Sequence, residues 1–174
     1  MMPQDVAAVM EKPISQELLG SGIPARFSYV GLDGDPRVIP IGFLWSGRQI
    51  LLFTVPTSAK VRALQHNPRV AITIDTEGYP PHVLLIRGAA SVELLDGVPD
   101  DYVEASGKLV PADQFDAWEA GVRTLYAQMA RITVEPDWAK LLDFETTIPK
   151  AVEDLVRAHH ERTQPTAAHC SEQL

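Results

Sequence analysis

The residues best suited to ligand chemistry lie in the short segment Ser58-Ala59-Lys60. This segment lies at the start of a predicted helix that follows a predicted strand. Residues 57–67 are predicted to form that helix, with Thr57 as its N-cap. The segment then forms the first turn, whose backbone N–H groups have no partner within the helix. A lysine there opposes the helix dipole, whereas a bound phosphate would be stabilised by hydroxyls, amides and the ammonium together. The segment therefore predicts a phosphate site, with a simple solvated Lys60 as the alternative.

Other residue types that often carry catalysis do not form a recognisable set. His66 and His82 are isolated, and His159-His160 lies on a predicted terminal helix, so the sequence pairs no nucleophile with a base. Cys170 is the only cysteine and cannot form an internal disulfide. Together with His169 it lacks the further ligands of a closed metal site. The sequence thus predicts no catalytic side chain and no metal site.

Charge and composition limit the classes of partner. The 174 residues carry a formal net charge of -8, which disfavours nucleic acid and anionic membranes as partners. Residues 37–87 nevertheless contain six basic residues and two acidic ones. That local excess suits a compact anion such as a phosphorylated cofactor, with scattered solvated charges as the alternative. The apolar runs are too short for a membrane span and the N-terminus does not resemble a signal peptide, so we expect a cytoplasmic location.

The elements around the Ser58-Ala59-Lys60 segment are predicted to be mostly strands. Residues 1–24 are expected to form a short helix and a connector, because prolines limit the helix. Turns at Asp33-Gly34-Asp35-Pro36 and Ser46-Gly47 then separate three strands of an antiparallel meander. Two further strands follow the 57–67 helix, and the second is expected to bend near Gly88. The predicted strands are residues 26–32, 37–45, 49–54, 69–74 and 82–95.

Helices dominate the predicted C-terminal part. One begins at Pro99-Asp100-Asp101, and another runs from Pro111 to about residue 130. Residues 131–135 are predicted as a short strand, 136–149 as mostly irregular, 151–161 as a terminal helix and 163–174 as a disordered tail. The second helix carries an apolar face that we interpret as core packing, formed by Phe115, Trp118, Val122, Leu125, Tyr126 and Met129.

The number and spacing of the strands define the expected fold. Five or six closely spaced strands, one inserted helix and several later helices indicate the α+β class and a small antiparallel barrel. No internal repeat or low-complexity linker is visible in the sequence. We therefore expect one domain over residues 25–162, preceded by the helix and connector at 1–24 and followed by the tail at 163–174.

Several short motifs recur at characteristic spacing over about residues 27–134: Asp35-Pro36-Arg37-Val38-Ile39-Pro40, Phe53-Thr54, Ser58-Ala59-Lys60, Asn67-Pro68-Arg69-Val70 and Arg87-Gly88. Together with the order of elements, these motifs resemble the pyridoxamine 5'-phosphate oxidase-like split β-barrel family of flavin-binding proteins. This resemblance implies a barrel of the FMN-binding type that forms a homodimer with two cofactor sites in its interface. It also implies an oxidoreductase that transfers hydride to or from a small organic substrate.

The same resemblance assigns cofactor contacts by position. One strand would run beside the flavin ring and ribityl chain, and a second strand end would add a contacting pair. The helix N-terminus would bind the phosphate, a later strand would face the ring edge, and Trp138 would cap the site from the partner subunit. In that order, the implied residues are Arg37, Val38, Ile39, Pro40 and Ile41, then Phe53 and Thr54, then Ser58, Ala59 and Lys60, then Val83.

Departures from the oxidase proper bear on the expected activity. Gly42, Ala59 and Val83 stand where the oxidase has Lys, Arg and Gln, and its C-terminal Arg-Leu-His-Asp-Arg segment has no counterpart here. Vitamin B6 oxidation is therefore not expected, and FMN is the predicted cofactor. A branch of similar reductases uses the deazaflavin coenzyme instead, whose longer anionic tail would suit Lys60 and Arg62. A non-enzymatic flavin- or haem-binding module on the same barrel is the third possibility.

Overall fold

A curled antiparallel β-sheet forms the body of the protein. The computed structural model describes residues 1–147 and 149–163. The sheet has the strand order β2-β1-β5-β6-β7-β4-β3, and all neighbouring strands run antiparallel. With the helices around it, this is the expected α+β split barrel. The strands are β1 (Ala25–Val30), β2 (Pro36–Ile41), β3 (Phe43–Trp45), β4 (Ile50–Thr54), β5 (Arg69–Asp75), β6 (His82–Asp96) and β7 (Gln128–Asp143).

The two longest strands, β6 and β7, lie side by side in the sheet. They pair along their whole length, beginning with His82 opposite Asp143. The register shifts between Arg87 and Gly88, where Asp137 of β7 has no partner on β6, so a β-bulge lies beside the position at which the sequence predicted a bend in β6. A Cβ atom at Gly88 would lie 2.2 Å from the carbonyl oxygen of Glu135. Glycine is therefore required for the two backbones to approach this closely.

The strand predicted over residues 37–45 is divided at Gly42, which corrects the expectation of a simple meander. β2 pairs with β1 at one edge of the sheet, whereas β3 pairs with β4 at the opposite edge. The chain therefore crosses from edge to edge at Gly42 instead of turning back beside its predecessor. A Cβ atom at Gly42 would lie 3.0 Å from the carbonyl oxygen of Ala105, in helix α4 (Asp100–Gly107).

The helices pack against this sheet to different extents. Two helices replace the single one predicted before residue 24, because Pro13 begins a second helix. Val6, Met10, Leu18 and Leu19 from these two helices join the main core between the sheet faces. The last helix has no buried residue. The α-helices of the described residues are α1 (Pro3–Met10), α2 (Pro13–Gly20), α3 (Ala59–His66), α4, α5 (Phe115–Leu125) and α6 (Lys150–Thr163).

The C-terminal half differs most from the sequence prediction. The helix predicted from Pro111 to about residue 130 ends at Leu125, and β7 continues through residues predicted as irregular. Of the supposed apolar helix face, Val122 is buried within α5, whereas Leu125 is 70% exposed. Met129 is buried on β7 instead. Thr163 ends α6, and the rest of the predicted tail lies outside the described residues.

The described helices have no stretch long and apolar enough to cross a membrane.

Candidate cofactor-binding site

A half-buried ammonium group marks the strand-to-helix connection between β4 and α3. Lys60 Nζ donates hydrogen bonds to Thr54 Oγ1 at 3.0 Å and to Ser58 Oγ at 2.9 Å. Burial lowers the pKa of Lys60, since the charged form loses hydration. Within the described residues no carboxylate forms an ion pair with it. The site therefore holds a desolvated cation that two neutral hydroxyls orient and no anion neutralises.

The first turn of α3 adds backbone donors beside this cation. Ser58 is the N-cap, so the prediction of Thr57 was one residue too early. The Ser58 hydroxyl makes no capping hydrogen bond and instead accepts one from Lys60 Nζ. In the part of the chain that the structure describes, the N–H groups of Ala59 and Lys60 have no hydrogen-bond acceptor. Free N–H groups at a helix N-terminus favour an anion.

The body of α3 is fixed by apolar packing. Val61, Ala63 and Leu64 are buried, and Pro68 follows soon after the helix ends at His66. Because these three side chains face the protein, they fix the position of α3 relative to the end of β4. The N–H groups of its first turn and the Lys60 ammonium are thereby placed beside Thr54.

A cavity of about 260 Å³ lies between the N-terminal half of α3 and the β1–β2 hairpin. It brings together two of the residues predicted to bind cofactor, Arg37 and Ala59, and it adds Arg62. Arg37 forms an ion pair with Asp33, whereas Arg62 has no ion-pair partner among the described residues. The full lining is Tyr29, Gly31, Leu32, Asp33, Arg37, Ala59, Arg62 and Ala63.

Strand β2 offers backbone groups along an open edge of the sheet. It pairs only with β1, so its other side has no neighbouring strand within the described residues. Pro40 sits on this edge strand, as its missing N–H predicted. Val38 is 64% exposed, while Ile39 and Ile41 are partly buried against the main core. The strand thus presents free backbone donors and acceptors next to exposed apolar surface.

Phe53 and Thr54, the predicted cofactor-contacting pair at the end of β4, have different contacts in the structure. Thr54 contacts the Lys60 ammonium, as described above. The Phe53 side chain is only 6% exposed and packs beneath α4, with its ring 6.0 Å from the ring of Tyr102. The sequence did not predict this cover, because nothing local in the chain links α4 to β4. Phe53 therefore anchors the strand end that carries Thr54.

Val83 and Trp138 lie on the paired strands β6 and β7, and neither lines the cavity beside Arg37. Trp138 pairs across the strands with Arg87, whose guanidinium carbon lies 4.2 Å from the indole ring centroid. This cation–π contact holds a positive charge over the aromatic face. Within one chain, these residues are thus separate from the cavity that Arg37, Ala59 and Arg62 line.

A curled antiparallel sheet with an anion-receptive helix N-terminus defines an α+β split-barrel protein with a candidate phosphate site. The chain belongs to the pyridoxamine 5'-phosphate oxidase family, whose model matches residues 16–154. The family expected from the motifs is thereby confirmed. Among proteins with curated functions, none matches this chain in sequence.

Several solved structures share the fold. An F420 reductase is 22% identical with a TM-score of 0.56, over 72% of this chain and 94% of that one. General stress protein 26 from Bacillus anthracis is 16% identical with a TM-score of 0.56, over 77% and 95%. The haem storage protein HutZ from Vibrio cholerae is 16% identical with a TM-score of 0.54, over 75% and 92%. At these identities the likeness shows a common fold and not a common function.

Proposed function

We propose that this protein is an oxidoreductase that binds FMN by its phosphate at Lys60 and transfers hydride to or from a small organic substrate. The observation that carries the proposal is the half-buried Lys60 ammonium, which has two hydroxyl partners and no counter-charge among the described residues. A phosphate would supply the missing negative charge and would also accept hydrogen bonds from the free N–H groups of the first turn of α3. The residues present therefore fit a phosphorylated cofactor.

Each part of the chain then has a definite task. Lys60, Ser58 and the N–H groups of α3 hold the phosphate, and the free backbone edge of β2 hydrogen-bonds the ring system. Val83 faces the ring edge, and Trp138 covers the ring from the partner subunit of a homodimer. When bound, the flavin supplies the hydride chemistry itself, so the protein needs to orient it and exclude water. No catalytic side chain is required.

Oxidation of pyridoxamine phosphate is not the proposed reaction. The family's oxidase proper carries a lysine where this chain has Gly42, and a Cβ atom there would lie 3.0 Å from the Ala105 carbonyl oxygen of α4. A side chain at position 42 would therefore press against the backbone of α4. Ala59 and Val83 likewise stand where the oxidase has Arg and Gln. A different small organic substrate is proposed for this reason.

A deazaflavin-dependent reductase is the second candidate, favoured by the cavity beside α3. Arg62 lines this cavity and has no ion-pair partner among the described residues, so it can meet a further anionic group. FMN ends at its phosphate, whereas the deazaflavin coenzyme continues into a carboxylate-bearing tail. The F420 reductase with the same fold makes this coenzyme a reasonable ligand to test, since F420 is a deazaflavin.

The absorption spectrum of the freshly purified protein, followed by titration of the apoprotein, tests these candidates. A flavin spectrum, or saturable binding of FMN that quenches its fluorescence, is the expected result. Binding of the deazaflavin coenzyme without FMN would select the second candidate. A Soret band with binding of neither coenzyme would select a haem-binding module and overturn the proposed function.

A further inference from the structure

Three metal-ligating side chains meet where β6 begins and β7 ends. His82 and Asp143 are opposite each other in the strand register, and Glu145 follows in the turn after β7. The Nε2 atom of His82 lies 3.3 Å from Asp143 Oδ1 and 3.7 Å from Glu145 Oε2. One ligand atom from each residue lies within 4.8 Å of the others. No local motif predicted this group, because the fold alone brings His82 to the two carboxylates.

The histidine nitrogen is buried and lacks a hydrogen-bond partner. His82 Nε2 is covered from solvent, yet it makes no hydrogen bond with any described residue, although two carboxylates lie nearby. A buried polar atom without a partner is costly and uncommon in folded proteins. The buried nitrogen therefore lies beside two carboxylates without a hydrogen bond to either of them, so it is available to bind a ligand.

The carboxylate of Asp143 is held in place by its own turn. Thr146 Oγ1 donates a hydrogen bond to Oδ2, and the backbone N–H of Glu145 donates one to Oδ1 at 3.0 Å. These bonds fix the orientation of the carboxylate, and supporting hydrogen bonds of this kind typically orient metal ligands.

We propose that His82, Asp143 and Glu145 bind a divalent transition-metal ion such as Zn²⁺. Two ligands about 2.0–2.1 Å from a tetrahedral zinc ion are roughly 3.3 Å apart, which compares well with the two distances from His82 Nε2. One imidazole nitrogen and two carboxylate oxygens suit such an ion better than Ca²⁺ or Mg²⁺, which prefer oxygen ligands alone. Three protein ligands leave a fourth position for water.

The ion would fasten three segments of the chain. The backbone N–H of His82 donates to Thr76 Oγ1 at 3.0 Å, and its carbonyl accepts from the Thr76 N–H at 3.1 Å. The site thereby joins the β5–β6 turn, the start of β6 and the turn after β7. None of its ligands belongs to the proposed cofactor site. The proposal is therefore independent of the proposed function.

Calorimetric titration of the chelator-treated full-length protein with Zn²⁺ tests the site, at mildly alkaline pH because a histidine binds metal in its neutral form. Co²⁺ serves as a second, coloured probe of tetrahedral coordination. We expect binding of one ion per chain, and a loss of affinity of at least tenfold in His82→Gln, Asp143→Asn and Glu145→Gln. Glu145 is 66% exposed, so its variant should fold normally and keeps the test interpretable.

Two controls separate this site from other metal ligands. His66→Gln and Glu17→Gln change exposed residues of the same types outside the cluster and should leave Zn²⁺ affinity unchanged. The titration is repeated with His159, His160 and His169 changed to Gln and Cys170 to Ser, because these residues could also bind zinc. Absence of Zn²⁺ binding, or binding that survives both His82→Gln and Glu145→Gln, would overturn the proposal and leave a simple histidine–carboxylate ion pair.

Discussion

Replacing Lys60 by Met removes the ammonium group from the proposed phosphate site while keeping an unbranched apolar stem. A charge-assisted hydrogen bond contributes about 1.5–3 kcal/mol, and each 1.4 kcal/mol changes a dissociation constant tenfold. Because Lys60 is only half buried, solvent screening favours the lower end of that range. We therefore expect Lys60→Met to weaken FMN binding at least tenfold, which corresponds to the loss of one charge-assisted hydrogen bond.

The folding stability of the apoprotein should change little in the same variant. Met loses two hydrogen bonds to hydroxyl groups but also removes a desolvated charge that opposes the helix dipole. Because the pKa of Lys60 is lower in the folded protein, the unfolded chain binds the lysine proton more tightly. The buried charge of Lys60 therefore destabilises the folded protein less as pH rises toward about 10.5. Any stability advantage of the variant should therefore shrink at alkaline pH in urea titrations.

Fluorescence titration of the apoprotein with FMN and with the deazaflavin coenzyme measures the effect on binding. Lys12→Met is the matched control, since it removes an exposed lysine far along the sequence from α3 and should bind like the wild type. Binding of both coenzymes by Lys60→Met as tightly as by the wild type would refute the assignment. In that case the phosphate site lies elsewhere.

Three further predictions concern the dimer, the Arg62 side chain and the close approach of Gly88 to β7. Light scattering should show a dimer at micromolar concentration, because the proposed cofactor site includes Trp138 of the partner subunit, and a stable cofactor-bound monomer would contradict a shared site. Arg62→Ala should weaken deazaflavin binding in a salt-dependent way and leave FMN affinity within about twofold. Equal losses of affinity for both coenzymes would instead show that Arg62 supports the fold. Gly88→Ala should lower the unfolding midpoint in urea strongly, since its Cβ would lie 2.2 Å from the Glu135 carbonyl oxygen, whereas Gly78→Ala, with open space around it, should not.

Local signals predicted the part of the fold that local physics determines. The strand ending at Thr54, the helix after Ser58 and the irregularity at Gly88 each have a nearby cause in turn residues, caps or a glycine. The candidate phosphate site is built from such neighbouring residues, so its composition could be predicted. The absence of a counter-charge for Lys60 among the described residues depends on the whole fold and emerged only from the structure.

Long-range pairing explains what the sequence could not predict. Gly42 interrupts no pattern in the chain, yet it separates strands at opposite edges of the sheet, and it lies close to the backbone of α4. Pro136 suggested that the last strand ends, but it lies beside the bulged residue Asp137, where a proline is tolerated and β7 continues. The His82 cluster likewise exists only because β6 and β7 pair from end to end.

The most direct measurement of the central claim compares the affinities of FMN and riboflavin, which differ only in the phosphate, for the wild type and Lys60→Met. With a phosphate site at Lys60, the wild type should bind FMN at least tenfold more tightly than riboflavin. The substitution should remove most of this preference while leaving riboflavin affinity unchanged. A wild type that does not distinguish the two flavins, or a variant that retains the full preference, would contradict a phosphate site at Lys60.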